Sequence, residues 1–136
     1  MPIELYWDND EQTVMLCEIR DPWTWDDLFA TLEKMKKVTD RASYTIGAIL
    51  DVTGGVKLPG GSLFSPATRD NALKMIKMGE GGSGPVVVVG ASPMIKAIHT
   101  AALTLDRHAA SHFRFVKTMD EARNLMAQML PSHQTA

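Results

Sequence analysis

Two short and almost wholly apolar segments constrain the fold of this chain more than any other part of its sequence. They span residues 46–52 and 86–89. Each has the length of a β-strand and lacks polar alternation, which is typical of strands buried on both faces of a parallel sheet. Segments with helical periodicity lie before, between and after them. Because a single helix returns the chain to the edge where the preceding strand began, the strands that it connects run parallel.

The N-terminal part of the chain follows a different pattern. Residues 3–7 alternate apolar and polar side chains, and residues 13–20 form a second strand-like segment. The residues that follow the first segment, 8–11, are Asp-Asn-Asp-Glu, which favours a turn. A short connection of this kind predicts an antiparallel hairpin, and it places the first strand at or near an edge of the sheet.

Capping residues mark where the helices begin. A Ser, Thr or Asp side chain accepts a hydrogen bond from a free amide of the first turn, and proline is tolerated at the first helical position. The apolar spacing predicts a helix that runs to about residue 41, and a final helix that Pro131 ends. The four predicted helix starts are Thr24, Ser65-Pro66, Ser92-Pro93 and Thr118. Thr24 and Thr118 each have an acidic residue three positions later, Asp27 and Glu121. A predicted strand over residues 113–117 directly precedes the last of these starts.

The resulting order is β-β-α-β-α-β-α-β-α. We predict a single-domain α/β fold with a mixed five-stranded sheet, mostly parallel, with an antiparallel N-terminal strand. A length of 136 residues fits one domain. The domain spans residues 1–131, and residues 132–136 form a flexible tail.

Composition excludes several classes of function. With 14 basic and 16 acidic side chains the formal net charge is −2, so the chain has no broad basic field for nucleic acid. No apolar run approaches the roughly 20 residues that span a bilayer, so we expect no stable membrane insertion. The single cysteine, Cys17, falls within a predicted strand and permits no internal disulfide. These features predict a cytoplasmic protein and a buried, structural thiol.

The predicted site lies where the parallel strands end. In α/β sheets ligands bind at the carboxyl ends of the strands, near helix N-termini. The longest loop at that position covers residues 53–64, and long loops in compact domains are more often functional. Of the two neighbouring tryptophans, Trp23 and Trp25, we expect one in the core and the other exposed. The candidate binding or regulatory residues are Trp23, Asp51, Thr53, Gly54, Ser62, Ser65 and Ser92.

No group of residues forms a catalytic constellation, so we predict a protein that is not an enzyme. We also predict no cofactor and no metal, because His108 and His112 share a helical face but lack a third ligand. Asp51 is interpreted as an amide-capping or turn-forming carboxylate. The enzyme alternative would use Asp51, Ser62 or His99, which have no motif-level relationship.

The segment at 48–54, Ala-Ile-Leu-Asp-Val-Thr-Gly, ends a predicted strand. Together with the leading hairpin and the alternating order that follows, it resembles the STAS superfamily, which includes the anti-sigma-factor antagonists. In that family the strand ends in Asp-x-Ser-Gly, and Thr53 stands where serine is common. The resemblance covers nearly the whole chain in layout, and it implies a regulatory module that binds a protein partner.

The phosphorylation switch of the antagonists does not carry over by position. In that family an Asp-Ser pair follows about eight residues after the first Asp and opens the next helix, and a partner kinase phosphorylates its serine. Here Pro59-Gly60 occupies that place, and the nearest hydroxyls belong to Ser62 and Ser65. The chain also resembles a divergent STAS-like group related to lipid-carrier domains.

Two functional hypotheses therefore stand. The first is a non-enzymatic regulatory module that binds a protein partner through the loops after strand 3. The second is a small-molecule or lipid-binding domain that uses the 53–64 loop as a lid over a small apolar or anionic ligand.

Overall fold

A computed structural model describes residues 3–20, 23–54, 70–71, 74, 84–90 and 113–130. Its centre is a five-stranded sheet in which each strand lies beside the next strand of the chain. The first pair is antiparallel and the other three pairs are parallel, as the sequence predicts. The strands are β1 (Ile3–Trp7), β2 (Val14–Arg20), β3 (Gly47–Gly54), β4 (Val86–Val89) and β5 (Phe113–Val116).

Two of the predicted helices lie within the described residues. Helix α1 spans Trp25–Arg41, and its N-cap Thr24 accepts a hydrogen bond from the amide of Asp27. Helix α2 spans Met119–Met129, with Thr118 as its N-cap. Both caps confirm the sequence prediction. The two other predicted helices fall mostly outside the described residues, although Asp70, Asn71 and Lys74 are helical.

The sheet separates two apolar layers. Side chains alternate between the faces of a strand, so neighbouring residues of β3 and β4 enter different layers. The layer on the α1 side contains Cys17, Leu50 and Val88 of the sheet and Leu28 and Met35 of the helix. The layer on the α2 side is smaller and is built on Ile49, Val87, Val89, Ala122 and Met126.

An ion pair connects the hairpin turn to α2. Arg123 donates from Nε and Nη2 to the two carboxylate oxygens of Asp8, at 3.1 and 2.9 Å. The Asp8 side chain is only 8% exposed, whereas the Arg123 side chain is 52% exposed. The hydrogen bond to Asp8 raises the pKa of Arg123. The forked geometry holds α2 against the end of the sheet where β2 begins.

We expect Asp8 and Arg123 to be energetically coupled. In a double-mutant cycle with Asp8→Asn and Arg123→Gln, urea unfolding should give a coupling of about 0.5–1 kcal/mol that decreases with salt. The exposed pair Lys36 and Asp40, at 3.2 Å within α1, is the matched control and should give about 0.3–0.5 kcal/mol. Coupling between Asp8 and Arg123 that is no larger than coupling between Lys36 and Asp40 would contradict the expectation that the forked, partly buried ion pair stabilises the fold more.

Across the described ranges, none of the helices combines the length and the apolar character required to cross a bilayer.

Candidate functional site

The carboxyl ends of the parallel strands form one edge of the sheet, which we call the rim. Among the described residues it contains the end of β2 at Arg20, the end of β3 at Asp51 to Gly54, and Gly90 directly after β4. Lys117 and Thr118 complete it after β5. This is the edge at which α/β proteins bind their ligands.

Thr53 is held in place by the aspartate two residues before it. Its amide donates to Oδ1 of Asp51 at 3.0 Å, and its hydroxyl donates to the same oxygen at 2.6 Å. Asp51 therefore caps a backbone amide, as the sequence predicts, and also orients a side chain. Thr53 is exposed while Asp51 is half-buried, so the carboxylate fixes a hydroxyl that faces solvent.

A β-bulge lies at the same point of β3. Glu18 of β2 pairs with Asp51, but Arg20 pairs with Gly54. Strand β3 thus advances three residues while β2 advances two, which leaves one extra residue in the interval that contains Thr53. Bulges of this kind bend a strand and redirect a side chain, and they are common beside functional sites.

Gly90 packs closely against the side chain of Thr53 at the rim. Its φ of +73° lies in the left-handed region, which favours glycine. A Cβ atom at this position would lie 2.3 Å from Cγ2 of Thr53, far inside van der Waals contact. The amide of Gly90 donates to the carbonyl of Val116 at 3.0 Å, which ties the end of β4 to the end of β5. The Thr53 methyl group is therefore confined by backbone.

Two carboxylates and a guanidinium lie side by side at this end of the sheet. Glu18 and Asp51 are register partners, so their side chains occupy the same face of neighbouring strands. Arg20 pairs with Glu18 at 3.4 Å, and its side chain is 56% exposed. The cation partly offsets the repulsion between the carboxylates. Within the part of the chain that the structure describes, no three His, Cys, Asp or Glu side chains are grouped closely enough for a metal ion.

The N-terminus of α2 also reaches the rim, but side chains already occupy it. The hydroxyl of Thr118 accepts from the amide of Glu121 at 3.2 Å, and the Glu121 carboxylate accepts from the amide of Lys117 at 3.4 Å. This arrangement differs from the predicted capping box in one contact, because Glu121 accepts from the amide of Lys117, one residue before the N-cap, and not from the amide of Thr118. It satisfies two of the amides that would otherwise be available to an anion.

Aromatic side chains line the α1 side of the rim. Trp23 and Trp25 meet edge to face with ring centroids 5.1 Å apart, and Trp25 stacks on Phe29 at 6.1 Å. The ammonium of Lys74 lies 4.4 Å from the centre of the Phe29 ring. Trp23 is buried, yet its indole Nε1 has no hydrogen-bond partner among the described residues. Leaving a buried donor unpaired costs about 1–3 kcal/mol, so this group favours an acceptor that fills the position.

The structure brings together three of the seven predicted site residues, namely Asp51, Thr53 and Gly54. The expectation of an exposed tryptophan in the Trp23–Trp25 pair is wrong, because Trp23 enters the core and Trp25 is half-buried against Phe29. Ser62, Ser65 and Ser92 lie outside the described residues, as does most of the 53–64 loop.

Sequence reasoning missed the contribution of Gly90. The signal that could have found it is a glycine placed directly after the run of four valines, at the carboxyl end of a central strand. A glycine in that position often marks a left-handed backbone or a close approach of two segments.

Comparison with known proteins supports the architecture. No family model matches the sequence, and no curated protein matches it. The NMR structure of the protein TM1081 aligns with a TM-score of 0.55 and 10% sequence identity, over 93% of this chain and 88% of that chain. At that identity the likeness shows a shared α/β fold alone.

Proposed function

We propose that this chain is a non-enzymatic regulatory module of the STAS type that binds a protein partner through its rim. The observation that carries the proposal is the exposed hydroxyl of Thr53, which Asp51 and Gly90 hold in one position. The bulge in β3 places this hydroxyl at the point where the strand leaves the sheet.

A fixed polar group suits recognition of a protein surface. Binding costs less conformational entropy when the contacting side chain is already ordered in the free protein. Exposed side chains of opposite charge accompany Thr53 on the same edge, with Arg20 and Lys117 basic and Glu121 acidic. Such a mixed pattern favours orientation of a specific partner over attraction to a uniformly charged one.

The resemblance to the STAS superfamily supports the same function. The Asp-Val-Thr-Gly segment ends β3, at the strand end where that family has Asp-x-Ser-Gly. The leading antiparallel hairpin and the sequential order of the following strands agree with the family's layout. On this view Ser62 or Ser65, in the chain that follows the rim, is the residue whose phosphorylation would regulate the partner.

The test is affinity capture from a lysate of the source cells, quantified by mass spectrometry. Thr53→Asp places a third carboxylate beside Asp51 and Glu18, and it should reduce capture of the partner at least about tenfold. Ser43→Asp adds the same charge to the exposed connection between α1 and β3, at the opposite end of the sheet, and should capture as the wild type does.

Two further variants address regulation. If Ser62→Asp or Ser65→Asp also loses the partner, the rim is controlled by phosphorylation. Capture that is the same for Thr53→Asp and the wild type, or no protein retained above the level of an unrelated bait, would contradict the proposed function. Circular dichroism and thermal unfolding of each variant identify losses that come only from misfolding.

Binding of a small apolar molecule or lipid is the second candidate function. It is favoured by the buried, unpaired indole N–H of Trp23 beside the half-buried rings of Trp25 and Phe29. An apolar ligand that carries one acceptor oxygen, such as a carboxylate or carbonyl, would stack against these rings and accept from Trp23.

Native mass spectrometry of the freshly purified protein tests this candidate. A retained mass should appear in the wild type and be lost in Trp23→Phe, which keeps an aromatic ring and removes the donor. Tryptophan fluorescence should also change on addition of fatty acids more than on addition of the matching alkanes. A spectrum without adducts and an unchanged fluorescence would exclude it.

A further inference from the structure

Strand β1 forms one edge of the sheet, and β2 is its only neighbour among the described strands. Its sequence is Ile-Glu-Leu-Tyr-Trp, with one charged side chain, Glu4. It has neither the proline nor the lysine that proteins commonly use to block an edge, and its pairing with β2 contains no bulge. Tyr6 and Trp7 are 44% and 37% exposed, which is high for such large aromatic side chains. An unprotected edge of this kind favours pairing with another strand.

The hydrogen bonds of the hairpin show which backbone groups of β1 point outward. The amide of Asp8 donates to the carbonyl of Val14 at 2.8 Å, so Asp8 faces β2. In an antiparallel pair, alternate residues direct both backbone groups toward the partner strand. Tyr6 and Glu4 therefore also face β2. The N–H and C=O groups of Ile3, Leu5 and Trp7 are directed to the open edge.

The side chains of β1 are complementary to those of a second, antiparallel copy. A twofold axis through Leu5 places Ile3 opposite Trp7 of the second copy and Leu5 opposite its own equivalent. These three side chains share the α1 side of the sheet, where Ile3 and Leu5 join the apolar layer. The outward backbone groups of all three residues then pair, because they are in the same register.

The polar face of β1 is complementary about the same axis. Glu4 and Tyr6 share the other side of the strand, and within one chain the Tyr6 hydroxyl already donates to the Glu4 carboxylate. In the twofold arrangement Glu4 lies opposite Tyr6 of the second copy, and Tyr6 lies opposite the second Glu4. A donor thus faces an acceptor twice, and no two carboxylates are directly opposed.

We propose that two copies of this chain associate through antiparallel pairing of their β1 strands about Leu5, which joins the two sheets into one of ten strands. The contact is isologous, since each copy contributes the same surface. Two five-residue strands form a small contact beside the roughly 1,200 Å² of stable complexes, so the dimer is weak and depends on concentration. The edge is separate from the rim, and the proposal does not rest on the proposed function.

Sedimentation equilibrium over a concentration series tests the dimer and its register. Tyr6→Glu places like charges opposite Glu4 at two symmetric positions, whereas Tyr6→Lys places opposite charges there. The dissociation constant of the dimer should therefore be about tenfold or more higher for Tyr6→Glu than for Tyr6→Lys. Tyr44 is similarly exposed but lies off the edge, so Tyr44→Glu and Tyr44→Lys should not differ in this way.

Amide hydrogen exchange provides a second measurement on the unmodified protein. Protection of the Leu5 and Trp7 amides should increase with protein concentration, while the Glu4 and Tyr6 amides, already bonded to β2, should not change. Thermal unfolding of the four variants shows whether each still folds. A wild type that remains monomeric at about 1 mM, equal effects of the two Tyr6 variants, or protection that does not follow concentration would each overturn the proposal.

Discussion

Replacement of Gly90 by alanine should destabilise the protein by about 2–5 kcal/mol. Part of this cost is conformational, since a φ of +73° places an L-residue in the left-handed region at about 1–2 kcal/mol. The remainder is steric, because the new Cβ atom would lie 2.3 Å from Cγ2 of Thr53 and 3.3 Å from its Cα atom. Forcing extra volume into a packed position costs about 1–3 kcal/mol.

Thr53→Ser separates these two contributions. Serine keeps the hydroxyl that donates to Asp51 and removes the methyl group that meets the new Cβ atom. In the Thr53→Ser background, Gly90→Ala should therefore cost about 1–2 kcal/mol, close to the conformational term alone. Chemical denaturation of the wild type, both single variants and the double variant provides the test. A cost that is the same in both backgrounds would show that Gly90 does not confine Thr53.

The thiol of Cys17 should react at least about 1,000-fold more slowly in the folded protein than in the unfolded chain. Burial between β1 and β3 raises its pKa from 9.0 to about 12, and the charge of Glu18 adds to this effect. At neutral pH the thiolate fraction falls tenfold for each unit by which the pKa rises, and the thiolate is the reactive species. Labelling by an aromatic disulfide at neutral pH, with and without denaturant, measures the ratio. A ratio below about ten would contradict this account.

The raised pKa of Cys17 also predicts that the free energy of unfolding depends on pH. The folded pKa of Cys17 lies above its unfolded value, so above pH 9 the unfolded chain binds fewer protons than the folded one. The stabilising contribution is thus complete below pH 9 and is lost progressively as the pH rises toward 12. The difference in the free energy of unfolding between wild type and Cys17→Ala should be constant below pH 9 and should then move against the wild type. A difference that stays constant through this range would argue against thiol ionisation as its cause.

The elements with strong local signals could be predicted from the sequence. Four consecutive valines define the extent of β4, and Thr24 with Asp27 marks the start of α1. The antiparallel hairpin followed from its short connection, and the parallel strands followed from the helical segments between them. These features depend on periodicity, capping and turn composition, which neighbouring residues alone determine.

The geometry of the rim depends on residues that are distant in the chain, so it could not be predicted in the same way. Asp51 and Thr53 are only two residues apart, so their contact could be anticipated from the sequence. The bulge, in contrast, arises from the pairing of β3 with β2. The constraint on Gly90 comes from Thr53 on the neighbouring strand. The prediction that one of Trp23 and Trp25 is exposed is wrong for a related reason, because a pattern that considers residues singly does not show that Trp25 stacks on Phe29.

The sequential order of the strands has a consequence for how the chain folds. Each strand pairs with the strand made immediately before it, so no later segment must be inserted between strands that are already paired. The sheet can therefore grow in the order of synthesis, beginning with the hairpin. Helix α2 is made last, and among the described elements it alone covers Ile49, Val87 and Val89. A nascent chain that stalls before α2 therefore lacks the described element that packs on this apolar surface, and association with other chains is then favoured.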